Sequence, residues 1–206
     1  MTTRVAARPT VATERDTSPL VSLSIGSPLG PLLLVAAPRG LRAVHWQAKL
    51  PDRGDDPPPR GPRSGTSAAH DALRAAAAQL AAYFAGTRTT FDLPLDPLGT
   101  PFQSAAWAIL RGIPFGTTIS YADQARRLGD ARKARAVGAA NGRNPLPIIV
   151  PCHRVIGSGG ALVGFAAGME AKAWLLRHEQ AVAGAACAGP SNQPKRSWNQ
   201  RPLSVS

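Results

Sequence analysis

Residues 51–65 read PDRGDDPPPRGPRSG, and no regular element can run through them. Proline removes backbone donors, glycine resists ordering, and most of the remainder is charged. The stretch is expected to be a surface loop or linker, so any core must be assembled from what lies on either side of it. On the N-terminal side, residues 21–25, 32–35 and 41–46 are short apolar runs separated by the turn signals GSPLG and APRG. They are expected to form a small antiparallel sheet. On the other side, Ser67 can cap a helix running to about residue 85, in which Leu73, Ala77, Leu80 and Phe84 recur at three- and four-residue steps. Gly86 stops it, and FDLPLDPLG (91–99) reads as an extended connector.

From residue 100 the signals are helical. Thr100 is an expected N-cap, with Pro101 in the first helical position and Gln103 completing a capping box. Phe102, Ala106, Ile109 and Leu110 give that helix an apolar face, and Gly112 ends it. Ser120 and Asp123 open a second helix that ends near Gly129; Asp130 opens a third, closed by Asn141-Gly142. Two short helices joined by a tight glycine turn have helix-turn-helix spacing. The third helix carries Arg132, Lys133 and Arg135. It is either a recognition helix or one arm of a helical hairpin with a solvated basic face. Residues 145–150 read as a buried strand ending at Cys152. GSGG (157–160) reads as a tight turn, and GFAAG (164–168) as a flexible loop. A final helix is expected from about 169 to 181, burying Trp174, Leu175 and Leu176. The fold class is therefore α+β. The expected division is a disordered leader (1–19), an N-terminal α/β domain (20–98), a helical C-terminal domain (99–183) and a disordered tail (184–206).

The formal net charge is +12, which favours a polyanionic partner. Arg126, Arg127, Arg132, Lys133, Arg135 and Arg143 cluster with only Asp130 among them. Two cysteines do not make a disulfide framework, and the four histidines have no zinc-ligand spacing, so no metal is expected. No apolar run is long enough to span a membrane, and the first 20 residues lack the apolar stretch of a secretory signal. A cytoplasmic protein is expected.

Cys152 is followed directly by His153 and Arg154. A thiol is mostly protonated at neutral pH and needs a base before it can attack. His153 can serve if the chain turns at Cys152, directly or through one water, and Glu179 is a candidate to orient it. A cysteine after an apolar run can equally be a small buried hydrophobe.

NPLPIIVPCHRVIG (144–157) strongly resembles the active-site segment of the O6-alkylguanine-DNA alkyltransferases, the methylated-DNA–protein-cysteine methyltransferases. The resemblance extends over 99–145 and on to KAWLLRHE (172–179). SPLGPLLLVAAPRGL (27–41) and QLAAYFAGTRTTFDLPLD (79–96) are similar to that family's ribonuclease-H-like N-terminal domain.

The resemblance implies a monomer that binds duplex DNA through the minor groove and flips out an O6-alkylguanine, or an O4-alkylthymine. The alkyl group passes once, irreversibly, to Cys152, with no cofactor. His153 would take the thiol proton and Glu179 would hold His153. Tyr121 would protonate the departing base at N3 and push the adjoining phosphate. Arg135 would fill the gap in the duplex, with Ala136 beside it. Asn144 would tie the recognition helix to the active-site turn. The carbonyls of Cys152 and Val155 would face the guanine amino group, while Phe165 stacks on the base and Ala166 offers its N–H to O6. The chain departs from the family at Phe165, where a tyrosine is common, and at Ala166-Ala167, where polar, glycine or tryptophan residues are common. The added methyl groups narrow the pocket, so methyl transfer is expected to survive and benzyl transfer to suffer. Competing readings are a damage reader that does not transfer, a helix-turn-helix regulator and a cysteine hydrolase. The presence of Cys152 argues against the first, and no second effector domain is visible for the second.

Overall fold

The computed structural model describes residues 18–46 and 67–187. The 51–65 loop, residues 1–17 of the expected leader and everything beyond 187 lie outside the described residues.

Three strands, β1 (Val21–Ile25), β2 (Leu32–Ala37) and β3 (Gly40–Trp46), form an antiparallel sheet in the order β1-β2-β3. The pairing runs from Leu32 opposite Trp46 to Ala37 opposite Gly40, with a bulge between Val35 and Ala36. β2 is buried along nearly its whole length because α1 (Ser67–Phe84) lies over it. Alanines at 69, 72 and 76 let the helix approach the sheet closely, and Leu73, Leu80 and Tyr83 fill the space between. The buried stripe is rotated one residue from the expected one: Ala76 and Tyr83 are fully inside, while Ala77 and Phe84 are half-buried. An alanine-rich helix has a weak apolar signature, so the sheet rather than the pattern sets the rotation.

The free edge of β3 is not left open. Leu41 donates to the Pro94 carbonyl at 2.8 Å, and Asp96 N–H returns to the Leu41 carbonyl at 2.9 Å. The connector therefore crosses the sheet edge as one parallel bridge. Gly40 is required there: a Cβ would lie 2.3 Å from the Pro94 oxygen. Three residues further along β3, Val44 donates to the Pro145 carbonyl at 2.8 Å, which ties the sheet to the segment leading into Cys152.

α2 (Pro101–Arg111) starts on the expected capping box, with Thr100 Oγ1 accepting from Gln103 N and the Gln103 side chain accepting from Thr100 N. Its largest buried side chain, Trp107, is not among the expected core positions; its Nε1 donates to the Ala140 carbonyl at 2.9 Å. α3 (Tyr121–Arg127) is capped by Ser120 and Asp123, also as expected. α4 (Ala134–Gly142) is preceded by a 3₁₀ turn over Ala131–Lys133, which Asp130 caps through Arg132 N. A buried amide pair locks the three helices together. Gln124 and Asn141 bond reciprocally at 2.7 and 3.2 Å, and Gln124 Nε2 also reaches the Ala106 carbonyl at 3.1 Å.

Two expectations are corrected. Residues 145–150 are not a strand but a chain of turns, although Leu146, Ile148, Ile149 and Val150 are buried as foreseen. Pro145 and Pro147 remove ladder donors, and Ile148 takes φ 75°, a left-handed value that a β-branched residue seldom adopts. The short strands there are instead β4 (Ile119–Ser120) and β5 (Val155–Ile156), paired in parallel just before α3 and just after the cysteine. The last helix, α5, runs over Met169–Cys187, six residues past the expected end. Its final stretch lacks apolar periodicity, but alanine-rich sequence has high intrinsic helix propensity.

Candidate active site

Cys152, His153 and Arg154 form a single 3₁₀ turn between the Pro-rich segment and β5. With three residues per turn, successive side chains leave in different directions. All three are buried: Cys152 is 6% exposed and His153 is 0% exposed. The rigid support expected from a strand comes instead from hydrogen bonds. Cys152 N donates to the Val150 carbonyl at 2.8 Å, and Asn144 Nδ2 donates to the same carbonyl at 2.7 Å. Asn144 Oδ1 accepts from Leu146 N at 3.0 Å. Asn144 follows α4 by two residues, so these bonds join the end of that helix to the cysteine turn.

Glu179, on α5, is wholly buried and is the hub of the site. Its Oε1 accepts from His153 Nε2 at 2.8 Å, from the Tyr83 hydroxyl at 2.9 Å and from Arg154 Nη2 at 2.9 Å. Its Oε2 accepts from Arg154 Nε at 2.9 Å and from Gly116 N at 3.0 Å. These donors hold the carboxyl well below its ordinary range, at about 2, against the opposing effect of burial. A carboxylate bound to Nε2 fixes the proton on that nitrogen. Nδ1 is then the basic atom of His153, and it is buried with no partner among the described residues. Burial, the largest effect, lowers the imidazole pKa, so His153 is neutral and able to accept a proton at physiological pH.

Burial likewise pushes the Cys152 thiol up, opposed by a hydrogen bond from Asn144, by the charge of Lys172 and by the turn's own backbone. The resting group is a thiol, not a thiolate. Lys172, on α5, is buried and donates to the carbonyls of Val155 and Val163, both at 2.6 Å. Desolvation lowers it to about 8. The Val155 carbonyl, expected to face a guanine amino group, therefore already uses one of its acceptor positions.

Tyr121 opens α3 and reaches across to the 163–164 loop, its hydroxyl donating to the Val163 carbonyl at 3.0 Å. Burial and the neighbouring Cys152 raise it to about 12, which keeps it a neutral donor. Phe165 sits between the rings of Trp46, at 5.8 Å, and His153, at 6.4 Å, both edge-on. Ala166 is exposed beside it. Arg135 and Ala136 lie exposed on α4. Arg126 and Arg132 are paired with Asp123 and Asp130, whereas Arg127, Lys133, Arg135 and Arg143 are exposed and in no salt bridge among the described residues, Lys133 acting on Asp130 only at longer range.

The sequence reading missed Arg154, Lys172, Tyr83 and Gly116. Arg154 and Lys172 look like surface cations in a basic chain; only the fold reveals that each is buried on acceptors. Tyr83 belongs to the other half of the chain. Gly116 takes φ 73°, and a Cβ there would meet Ala183 at 2.9 Å. No group of three or more metal-binding side chains occurs among the described residues.

Two family models match the chain. Residues 21–97 match "6-O-methylguanine DNA methyltransferase, ribonuclease-like domain", and residues 101–181 match "6-O-methylguanine DNA methyltransferase, DNA binding domain". A methylated-DNA–protein-cysteine methyltransferase of Methanosarcina acetivorans is 41% identical over 158 residues, covering 74% of this chain and 94% of the relative. The protein of the same name from Mycobacterium leprae is 43% identical over 157 residues, covering 76% and 90%. Among solved structures, Mycobacterium tuberculosis OGT in complex with DNA superposes with a TM-score of 0.66 at 42% identity, covering 77% of this chain and 92% of that one. Two matching domains in order, relatives covered almost end to end, and a buried Cys-His-Glu arrangement lead to one conclusion: the chain belongs to the methylated-DNA–protein-cysteine methyltransferase family.

Proposed function

We propose that this protein repairs alkylated DNA by moving the alkyl group from O6 of guanine in a duplex to Sγ of Cys152, once per molecule. One observation carries the reading. A buried cysteine is followed by a buried, neutral histidine whose Nε2 is held by a carboxylate, leaving Nδ1 as the base. Sγ attacks the alkyl carbon, the C–O6 bond breaks, and the thiol proton passes to Nδ1, directly or over one water. Because the resting thiol is protonated, proton removal accompanies attack rather than preceding it. The released guanine anion needs a proton, and Tyr121, a neutral hydroxyl next to Cys152, is suited to give it after leaving the Val163 carbonyl. The thioether on sulfur resists hydrolysis, so the thiol is not regenerated.

DNA is the partner, with α4 as the recognition helix, Arg135 entering the duplex and Ala136 lying against it. Phe165, Ala166 and the Val155 carbonyl receive the flipped base. The working division is an N-terminal unit over 20–98 and a DNA-binding alkyltransferase unit over 99–183, in a cytoplasmic protein. No helix among the described residues is long and apolar enough to cross a membrane.

The test is intact and peptide mass spectrometry after mixing the protein with duplex DNA carrying one O6-methylguanine. The peptide containing Cys152 gains one methylene, stoichiometrically, if the reading holds. Unchanged mass with bound DNA would make it a damage reader. The same assay with O6-benzylguanine tests the narrowed pocket: benzyl transfer is expected to be slower than methyl transfer, and equal rates refute the effect of Phe165–Ala167.

A further inference from the structure

We infer that Tyr83, on the N-terminal helix α1, is a positioning residue for alkyl transfer: its hydroxyl holds the Glu179 carboxylate that orients His153. The inference rests on the proposed roles of Cys152 and His153. Tyr83 is fully buried, and its hydroxyl donates at 2.9 Å to Oε1, the same oxygen that takes His153 Nε2 at 2.8 Å. Its ring is fixed by Phe84, Phe91, Phe115 and His178 at 5.4, 5.5, 6.0 and 5.2 Å. His178 Nε2 also donates to the Tyr83 carbonyl at 2.8 Å, so backbone and ring are both held. A phenylalanine would fill such a cage equally well. The hydroxyl has a purpose only through the carboxylate.

Oε1 also accepts from Arg154 Nη2, and donors that share one oxygen divide its acceptor strength. Burial and Glu179 keep Tyr83 protonated throughout the working range, so it is a permanent donor. The other charged and titratable groups facing this pair are Arg154 on the 3₁₀ turn, Lys172 and His178 on α5, and Cys152 itself. None of them replaces the hydroxyl, because Arg154 already uses Nε, Nη1 and Nη2 on Glu179 and the Ile113 carbonyl. Without the hydroxyl, the less-satisfied carboxylate favours imidazolium, so His153 becomes protonated at higher pH and its ring is less firmly placed.

The experiment is Tyr83→Phe in the full chain. Three things are measured: the pH dependence of methyl transfer from duplex O6-methylguanine, the NMR titration of the His153 imidazole, and urea unfolding. The acid limb and the imidazole titration are expected to move up together by roughly half to one pH unit. The rate at neutral pH is expected to fall about three- to tenfold. If both superimpose on the unaltered protein while only stability falls, Tyr83 is a core residue and the inference is wrong. If the unaltered protein does not transfer methyl at all, the proposed function fails. The imidazole titration still decides whether Tyr83 acts on His153.

Discussion

Glu179 concentrates more of this molecule's electrostatics than any other side chain described. It is a carboxylate with no solvent contact, stabilised by the Arg154 fork, the Gly116 amide, Tyr83 and His153. Its pKa is about 2 in the fold against 4.5 free, so its contribution is present above pH 4.5 and is lost as pH falls toward 2. That contribution is about 3 kcal/mol. His153 has the same sign: its folded pKa is depressed below 6.5, so folding stability is lost as pH drops below that value. Urea unfolding is therefore expected to show stability falling below pH 6.5 and again below pH 4.5. Glu179→Gln should shrink the lower step to what Asp123 and Asp130 contribute, lower neutral-pH stability by about 3 kcal/mol by unpairing Arg154, and cut alkyl transfer at least tenfold. A variant whose lower step keeps its full size would show that the hub is not Glu179.

At the scale of elements, helix ends were legible because capping is local chemistry. Thr100 with Gln103, Ser120 with Asp123, and Asp130 each sit within a few residues of the groups they satisfy. The expected strand at 145–150 failed for a complementary reason. Its apolar run signalled burial correctly, but a strand needs a partner, and the prolines left too few donors to pair. The helix-turn-helix depends on a contact no local pattern announces, the Gln124–Asn141 amide pair. Gln124→Leu leaves Asn141 buried and unpaired and is expected to cost about 2 kcal/mol in a denaturant melt. Adding Asn141→Leu should recover part of that loss. Full additivity in the double-mutant cycle would mean that the two amides do not act together.

At the scale of the molecule, the Cys152–Arg154 turn lies between two surfaces built from different halves of the chain. One half supplies the sheet edge that accepts the Pro145 segment, along with Tyr83 behind Glu179. The other supplies the exposed cations of α4 and its flanks. With Arg127, Lys133, Arg135 and Arg143 exposed and in no salt bridge among the described residues, the logarithm of duplex affinity should fall with the logarithm of salt at a slope of about −3 to −4. Lys133→Ala should reduce that slope by about 1 across unrelated sequences. A flat salt dependence would contradict phosphate binding by this face.

The sequence by itself determined the α+β class, the three N-terminal strands, the capped helices of the second half and the adjacency of Cys152 and His153. All of these are written in residues close together along the chain. Tertiary structure decided what distance hides: that Arg154 and Lys172 are buried, that Ile148 takes a left-handed backbone, that Gly116 donates to Glu179, and that a tyrosine 96 residues away from that glutamate shares its oxygen with His153. The physical reason is the same in each case. A cap or a turn is satisfied by its own neighbours, whereas a buried charge is tolerable only where several remote donors converge on it.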